Sequence, residues 1–156
     1  MNLTRLISID RIECNPDIRS KKRVLEKLSD LLATASDQSA MNIFDKLIER
    51  ERLGSTGLGH GIALPHGRLG QGDDIIAAFI KLPEAISFDS ADGKPVDLLF
   101  ALLVPEAKNN EHLQTLAAVA KFFQDENNQQ GIRDASTQEE IFQQLSSDNS
   151  LSQKAS

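Results

Sequence analysis

The 156-residue sequence predicts an α/β fold, a single mixed β-sheet with helices packed on both faces. Two patterns carry that prediction. Residues 75–82 and 96–104 are near-continuous apolar runs, as expected of strands covered on both sides. Around them lie amphipathic segments of helical period, whose apolar stripes need a sheet face to bury against. Hydrophobic residues make up 40% of the chain and charged residues 26%, enough to build a core. One domain is expected over residues 1–145, followed by a flexible polar tail at 146–156.

From the N-terminus, Ser20 can cap a helix in which Val24, Leu25, Leu28, Leu31 and Leu32 form one stripe. Lys21, Lys22 and Arg23 fill its first turn, where the dipole disfavours each cation by about 0.3 kcal/mol or more. The triplet reads as a solvated basic turn, with docking of an acidic partner as the alternative. A second helix runs from about Ser39 to Arg52, burying Ile43, Phe44, Leu47 and Ile48 before Gly54 stops it. Seven of the nine glycines then fall within residues 54–72, where only Ile62-Ala63-Leu64 suits a short strand. The two apolar strands follow, separated by a short alternating strand at Ile86-Ser87-Phe88 and a turn at Asp92-Gly93. After Pro105, Asn110 can cap a helix with the stripe Leu113, Leu116, Ala117, Ala120 and Phe123. Thr137 with Glu140 forms a capping box ahead of Ile141, Phe142 and Leu145.

Composition excludes several classes of function. Seventeen Lys+Arg against 23 Asp+Glu give a net charge of −6, the wrong balance for a phosphate backbone. No basic run suits an anionic lipid surface. Cys14, the only cysteine, can form neither an internal disulfide nor a thiolate zinc site, and reads as an ordinary thiol. Arg5, Asp10 and Arg11 leave no signal core, and the seven apolar residues 98–104 fall far short of the ~20 that span a bilayer. A cytoplasmic chain is expected.

The glycine-rich segment fails the nucleotide tests. Gly54 and Gly59 have phosphate-loop spacing, but His60-Gly61 replace the Lys and Ser/Thr that the loop needs. Ile62 and Leu64 stand where a dinucleotide fingerprint needs glycine or alanine, and no Gly-x-Ser-x-Gly elbow is present. Three histidines remain: His60, His66 and His112. Imidazole can be a neutral nucleophile at cytoplasmic pH. His66 lies between Pro65, which stiffens the approach, and Gly67, which lets backbone come close. Residues 52–72 hold Arg52 and Arg68 and no carboxylate, a local +2 that favours an incoming phosphoryl group. His112 falls in the first turn after Asn110, where free N–H groups attract anions and favour the neutral ring. Arg50, near the end of the preceding helix, could clamp phosphate oxygens with its planar fork. A metal module using the three histidines is the alternative, but residues 60 to 66 span roughly 20 Å if extended.

The run Gly54-Ser55-Thr56-Gly57-Leu58-Gly59-His60-Gly61-Ile62-Ala63-Leu64-Pro65-His66-Gly67-Arg68-Leu69 resembles the active-site segment of mannitol/fructose-type IIA proteins of the bacterial phosphoenolpyruvate phosphotransferase system. Residues 92–105, Asp-Gly-Lys-Pro-Val-Asp-Leu-Leu-Phe-Ala-Leu-Leu-Val-Pro, are similar to the nitrogen-regulatory branch. The resemblance implies an α/β sandwich with His66 as the phosphorylated histidine, His112 as the second active-site histidine and Arg50 as the active-site arginine. His60 matches a variable position and receives no catalytic role. Neither cofactor nor metal is implied. The implied donor is an HPr-like phosphocarrier, and the implied readers are regulatory targets such as potassium-transport or sensor-kinase components. The lack of a IIB or membrane IIC segment in this sequence suits a free-standing subunit or regulator. The alternatives are a sugar-uptake subunit that passes phosphate to a IIB cysteine, and a plain binding module with structural histidines.

Overall fold

Two layers of helices enclose one six-stranded mixed sheet in the computed structural model, which describes residues 2–107 and 110–146. The strands are β1 (Ile12–Cys14), β2 (Gly57–Gly59), β3 (Ile62–Ala63), β4 (His66–Arg68), β5 (Ile76–Ile86) and β6 (Val96–Val104). The order is β1-β5-β6-β3-β2, and β4 also pairs with β6. β5 and β6 are antiparallel and form the centre; β1, β3 and β4 join in parallel, and β2 pairs antiparallel with β3.

The helices are α1 (Lys21–Ala33), α2 (Ala40–Arg52), α3 (Asn110–Gln124), α4 (Glu126–Asp134) and α5 (Gln138–Ser146). Alternation along β6 sorts them. Leu98, Phe100, Leu102 and Val104 face one core with Val119, Phe122 and Phe123 of α3, Ile132 of α4, and Ile141 and Leu145 of α5. Leu99, Ala101 and Leu103 face the other core with Val24, Leu25, Leu28, Leu31 and Leu32 of α1 and Ile43 and Leu47 of α2. Both faces are therefore apolar, as the continuous runs required. Phe79, Phe100 and Phe123 meet at centroid distances of 5.6–6.1 Å in the first core.

Local chemistry explains the helix ends. Ser20 and Ser39 accept from the backbone N–H groups of Arg23 and Asn42, capping α1 and α2. Thr137 accepts from the Glu140 N–H, while the Glu140 carboxylate reaches back to Ser136 N–H and the Thr137 hydroxyl. Asp125 caps α4 through Asn127 and Asn128. Among the described residues, no helix is long and apolar enough to cross a membrane.

Several expectations need correction. The strand from residue 75 does not stop at Leu82 and restart at Ile86; β5 is continuous to Ile86, with a register shift between Lys81 and Ile86. Pro83 sits within that irregularity, beyond the last β1 pairing at Lys81, so its missing N–H breaks no ladder bond. Asn110 is the first helical residue of α3 rather than its cap. The buried stripe of α3 is His112, Thr115, Val119, Phe122 and Phe123, and Leu113 is 61% exposed. The stripe is rotated because two polar side chains, His112 and Thr115, occupy its buried side. Ser146 is still helical, within α5, and the proposed tail at 147–156 lies outside the described residues.

Candidate active site

Pro65 divides two short strands that lie end to end along β6. β3 pairs with Leu98 and Leu99, and β4 with Leu102, Leu103 and Val104. Between them the Pro65 carbonyl accepts from Leu102 N–H at 2.9 Å, and the proline needs no donor of its own. His66 thus opens a strand of its own, so the glycine-rich segment holds β2 and β4 as well as the expected short strand β3.

The β4 register decides where His66 points. Its pair residue Leu102 belongs to the α3-side core, and paired residues project to the same face. Gly67 faces α2, where a Cβ would stand 3.0 Å from the Lys46 Cβ. Only glycine lets α2 pack this closely on β4. His112 is 3% exposed on the buried stripe of α3, so His66 and His112 are brought to the same side of the sheet. The His112 Nδ1 has no hydrogen-bond partner among the described residues.

His66 is half-buried, and its Nδ1 lies 2.9 Å from the Leu64 carbonyl oxygen. A carbonyl can only accept, so Nδ1 carries the proton and Nε2 presents its lone pair. Burial pushes the imidazole below its ordinary pKa, and the Leu64 bond opposes that shift. Arg50 lowers it further, Glu51 raises it, and Arg68 lowers it again. The balance favours a neutral ring with a free Nε2.

Arg50 lies in the last turn of α2, where the dipole favours a cation, and its Nη1 donates to the Gly54 carbonyl at 2.8 Å. That bond ties the half-buried Arg50 to the segment that leads to His66.

His60 is separate. It and Gly61 form the two-residue tip of the β2–β3 hairpin, with φ of 57° and 81°. Positive φ at both positions is the type I′ geometry that matches strand twist. Asp92 accepts from the His60 N–H at 3.3 Å, and Arg133 Nη2 donates to the His60 carbonyl at 2.6 Å while pairing with Asp97. No group of three or more His, Cys, Asp or Glu among the described residues is arranged to hold a metal ion.

Glu51 went unnoticed in the sequence. Its side chain is 3% exposed, pairs with Lys21 at 3.0 Å, and accepts from the Thr56 N–H and hydroxyl. The segment free of carboxylates in sequence is thus met by one in space. Lys21 in turn donates to the Phe88 carbonyl and lies 4.3 Å from the Phe88 ring centroid. Of the basic triplet, only Lys22 and Arg23 are the exposed cations expected. The signal for Glu51 was its spacing, since Ile43, Leu47 and Glu51 fall at i, i+4 and i+8.

Residues 5–148 match the family described as "Phosphoenolpyruvate-dependent sugar phosphotransferase system, EIIA 2". The chain is 42% identical over 144 residues to a nitrogen regulatory protein of Pseudomonas aeruginosa, covering 92% of this chain and 94% of that one. It is similar to the crystal structure of nitrogen regulatory protein IIA-Ntr from Neisseria meningitidis, with TM-score 0.86 and 38% identity over 92% of this chain and 98% of that one. The crystal structure of IIA mannitol from Escherichia coli shares the fold at TM-score 0.71 and 21% identity, covering 88% of this chain and 97% of that one.

Proposed function

Because the chain belongs to the EIIA 2 family of the phosphoenolpyruvate-dependent sugar phosphotransferase system, we propose that it is a regulatory phosphoryl acceptor whose acceptor atom is His66 Nε2. The observation that carries this reading is the Nδ1–H bond from His66 to the Leu64 carbonyl. It fixes the tautomer and leaves Nε2 as a neutral nucleophile without a separate base.

The donor is the phosphohistidine of an HPr-like carrier. His66 attacks phosphorus in line, and His112 and Arg50 hold the phosphoryl oxygens. Such transfer depends on positioning and on charge neutralisation. His112 suits that role because it is buried in the first turn of α3 with Nδ1 unpartnered. The half-buried Arg50 supplies a planar guanidinium fork for two oxygens. Phosphorylation changes the charge at an open sheet edge, and regulatory targets in the cytoplasm read that change. Potassium-transport or sensor-kinase components are the target class proposed.

Incubation with phosphoenolpyruvate, the first enzyme of the system and its carrier provides the test. Intact mass is expected to show one acid-labile phosphoryl group on wild type and none on His66→Ala. Equal labelling of the two proteins refutes the assignment.

A further inference from the structure

Glu51 reaches the proposed nucleophile through Thr56 and Leu64. Its carboxylate accepts from Thr56 N–H at 3.2 and 3.3 Å and from the Thr56 hydroxyl. The Thr56 carbonyl accepts from Leu64 N–H at 3.1 Å. The Leu64 carbonyl accepts from His66 Nδ1–H at 2.9 Å. A continuous path of hydrogen bonds therefore joins the end of α2 to the imidazole. Lys21 closes it from α1, 3.0 Å from Glu51 with its side chain 22% exposed.

Stability alone is a weak reason for such a pair. Replacing a buried ion pair by apolar groups is often neutral or stabilising. A role in the chemistry accounts for a carboxylate at this place. The other charged groups around His66 are Arg50 and the Lys46–Glu49 pair on α2 and Arg68 on β4, with titratable His112 on α3. Glu51 is thus the buried anion whose effect on His66 opposes that of the two arginines.

We propose that Glu51 is a positioning residue for His66, holding the Thr56–Leu64 path that orients the ring and stabilising the positive charge the ring acquires on phosphorylation. The inference rests on His66 being the acceptor. In the step, the Nε2–P bond forms as the donor's N–P bond breaks. The donor ring leaves as neutral imidazole and keeps its own N–H. His66 keeps its Nδ1 proton, so its ring becomes cationic, and no proton is exchanged. A fixed carboxylate at the far end of that path stabilises this state more than the neutral one.

The test is the imidazole titration of His66, followed by NMR in wild type, Glu51→Gln and Lys21→Met. Glu51→Gln removes the anion and lowers the midpoint. Lys21→Met leaves the carboxylate unneutralised and raises it. Opposite signs cannot come from general loosening of the segment, which moves both variants the same way. Equal-sign shifts, or none, overturn the proposal. If Glu51→Gln does not fold, a Lys21→Met midpoint at or below that of wild type still overturns it. The titration needs no donor, so its failure is distinct from a failure of His66 to be phosphorylated. With phosphorylated carrier, Glu51→Gln is expected to slow transfer at saturating donor by about tenfold, the low end for outer partners of functional histidines. The carrier concentration at half-maximal rate stays unchanged, and a change confined to that concentration refutes the role.

Discussion

Replacing Gly61 with alanine tests whether the β2–β3 hairpin is held by its tip. Gly61 has φ +81°, which costs an L-residue about 1 kcal/mol. A Cβ there would stand 2.7 Å from Arg133 Nη2 and 2.8 Å from Asp97 Oδ1. Arg133 must therefore retreat, giving up its 2.6 Å bond to the His60 carbonyl and its two contacts with Asp97 at 2.9 and 3.2 Å. The hydrogen bond contributes about 1 kcal/mol. The ion pair, whose side chains are 29% and 24% exposed, adds about 1 more after screening. The sum is about 3 kcal/mol, or ~6–12 °C in Tm for a chain of this size. Gly93→Ala is the control, because φ is +72° there and nothing lies within 4 Å of the added carbon. It is expected to lose only about 1 kcal/mol. Urea and thermal unfolding followed by circular dichroism read both values. If the two variants lose the same stability within ~0.5 kcal/mol, the clamp does not hold the tip and the reasoning fails.

Two further outcomes concern the site itself. The folded-state pKa of His66 lies below its unfolded value of about 6.5, so in the window beneath that value the unfolded chain binds more protons. Unfolding free energy of wild type relative to His66→Asn should therefore rise with pH there, by at most about 1.4 kcal/mol per pH unit, and flatten above. A difference that falls with pH, measured by urea unfolding between pH 5 and 8, contradicts the neutral-ring assignment. Arg50→Lys keeps the charge but loses the fork, so phosphoryl acceptance should slow by about tenfold or more while Tm stays within a few degrees, the half-buried side chain giving up only its bond to the Gly54 carbonyl. Unchanged transfer kinetics remove Arg50 from the site.

Much of this architecture was legible because local and tertiary signals agree. Ser20 and Thr137 cap where their sequences say, and the apolar runs of β5 and β6 are buried on both faces. α4 was invisible for the opposite reason. Its stripe contains one buried apolar residue, Ile132, while Asn128 and Gln129 are buried through bonds to the carbonyls of Phe122 and Phe123. No hydrophobic period can reveal such a helix. β2 and β4, Gly57–Gly59 and His66–Arg68, carry little strand propensity; their neighbours β3 and β6 impose the conformation. At the candidate site, His66, His112 and Arg50 stood out as residues able to handle an anion. Glu51 did not, because a carboxylate between two arginines looks solvated until its helical spacing is counted.

The split strand around Pro65 also bears on self-association. β4 pairs on one side with β6, so its outer edge offers unpaired backbone groups to any passing strand. A surface left open for a donor protein is in principle open to another copy of the same chain. Here the outer edge is three residues long, follows a proline, is covered by α2 at Gly67, and ends at Arg68, too short and too charged to template a ladder. The break that lets His66 start a new strand thereby guards against edge-to-edge aggregation at the face that has to stay uncovered.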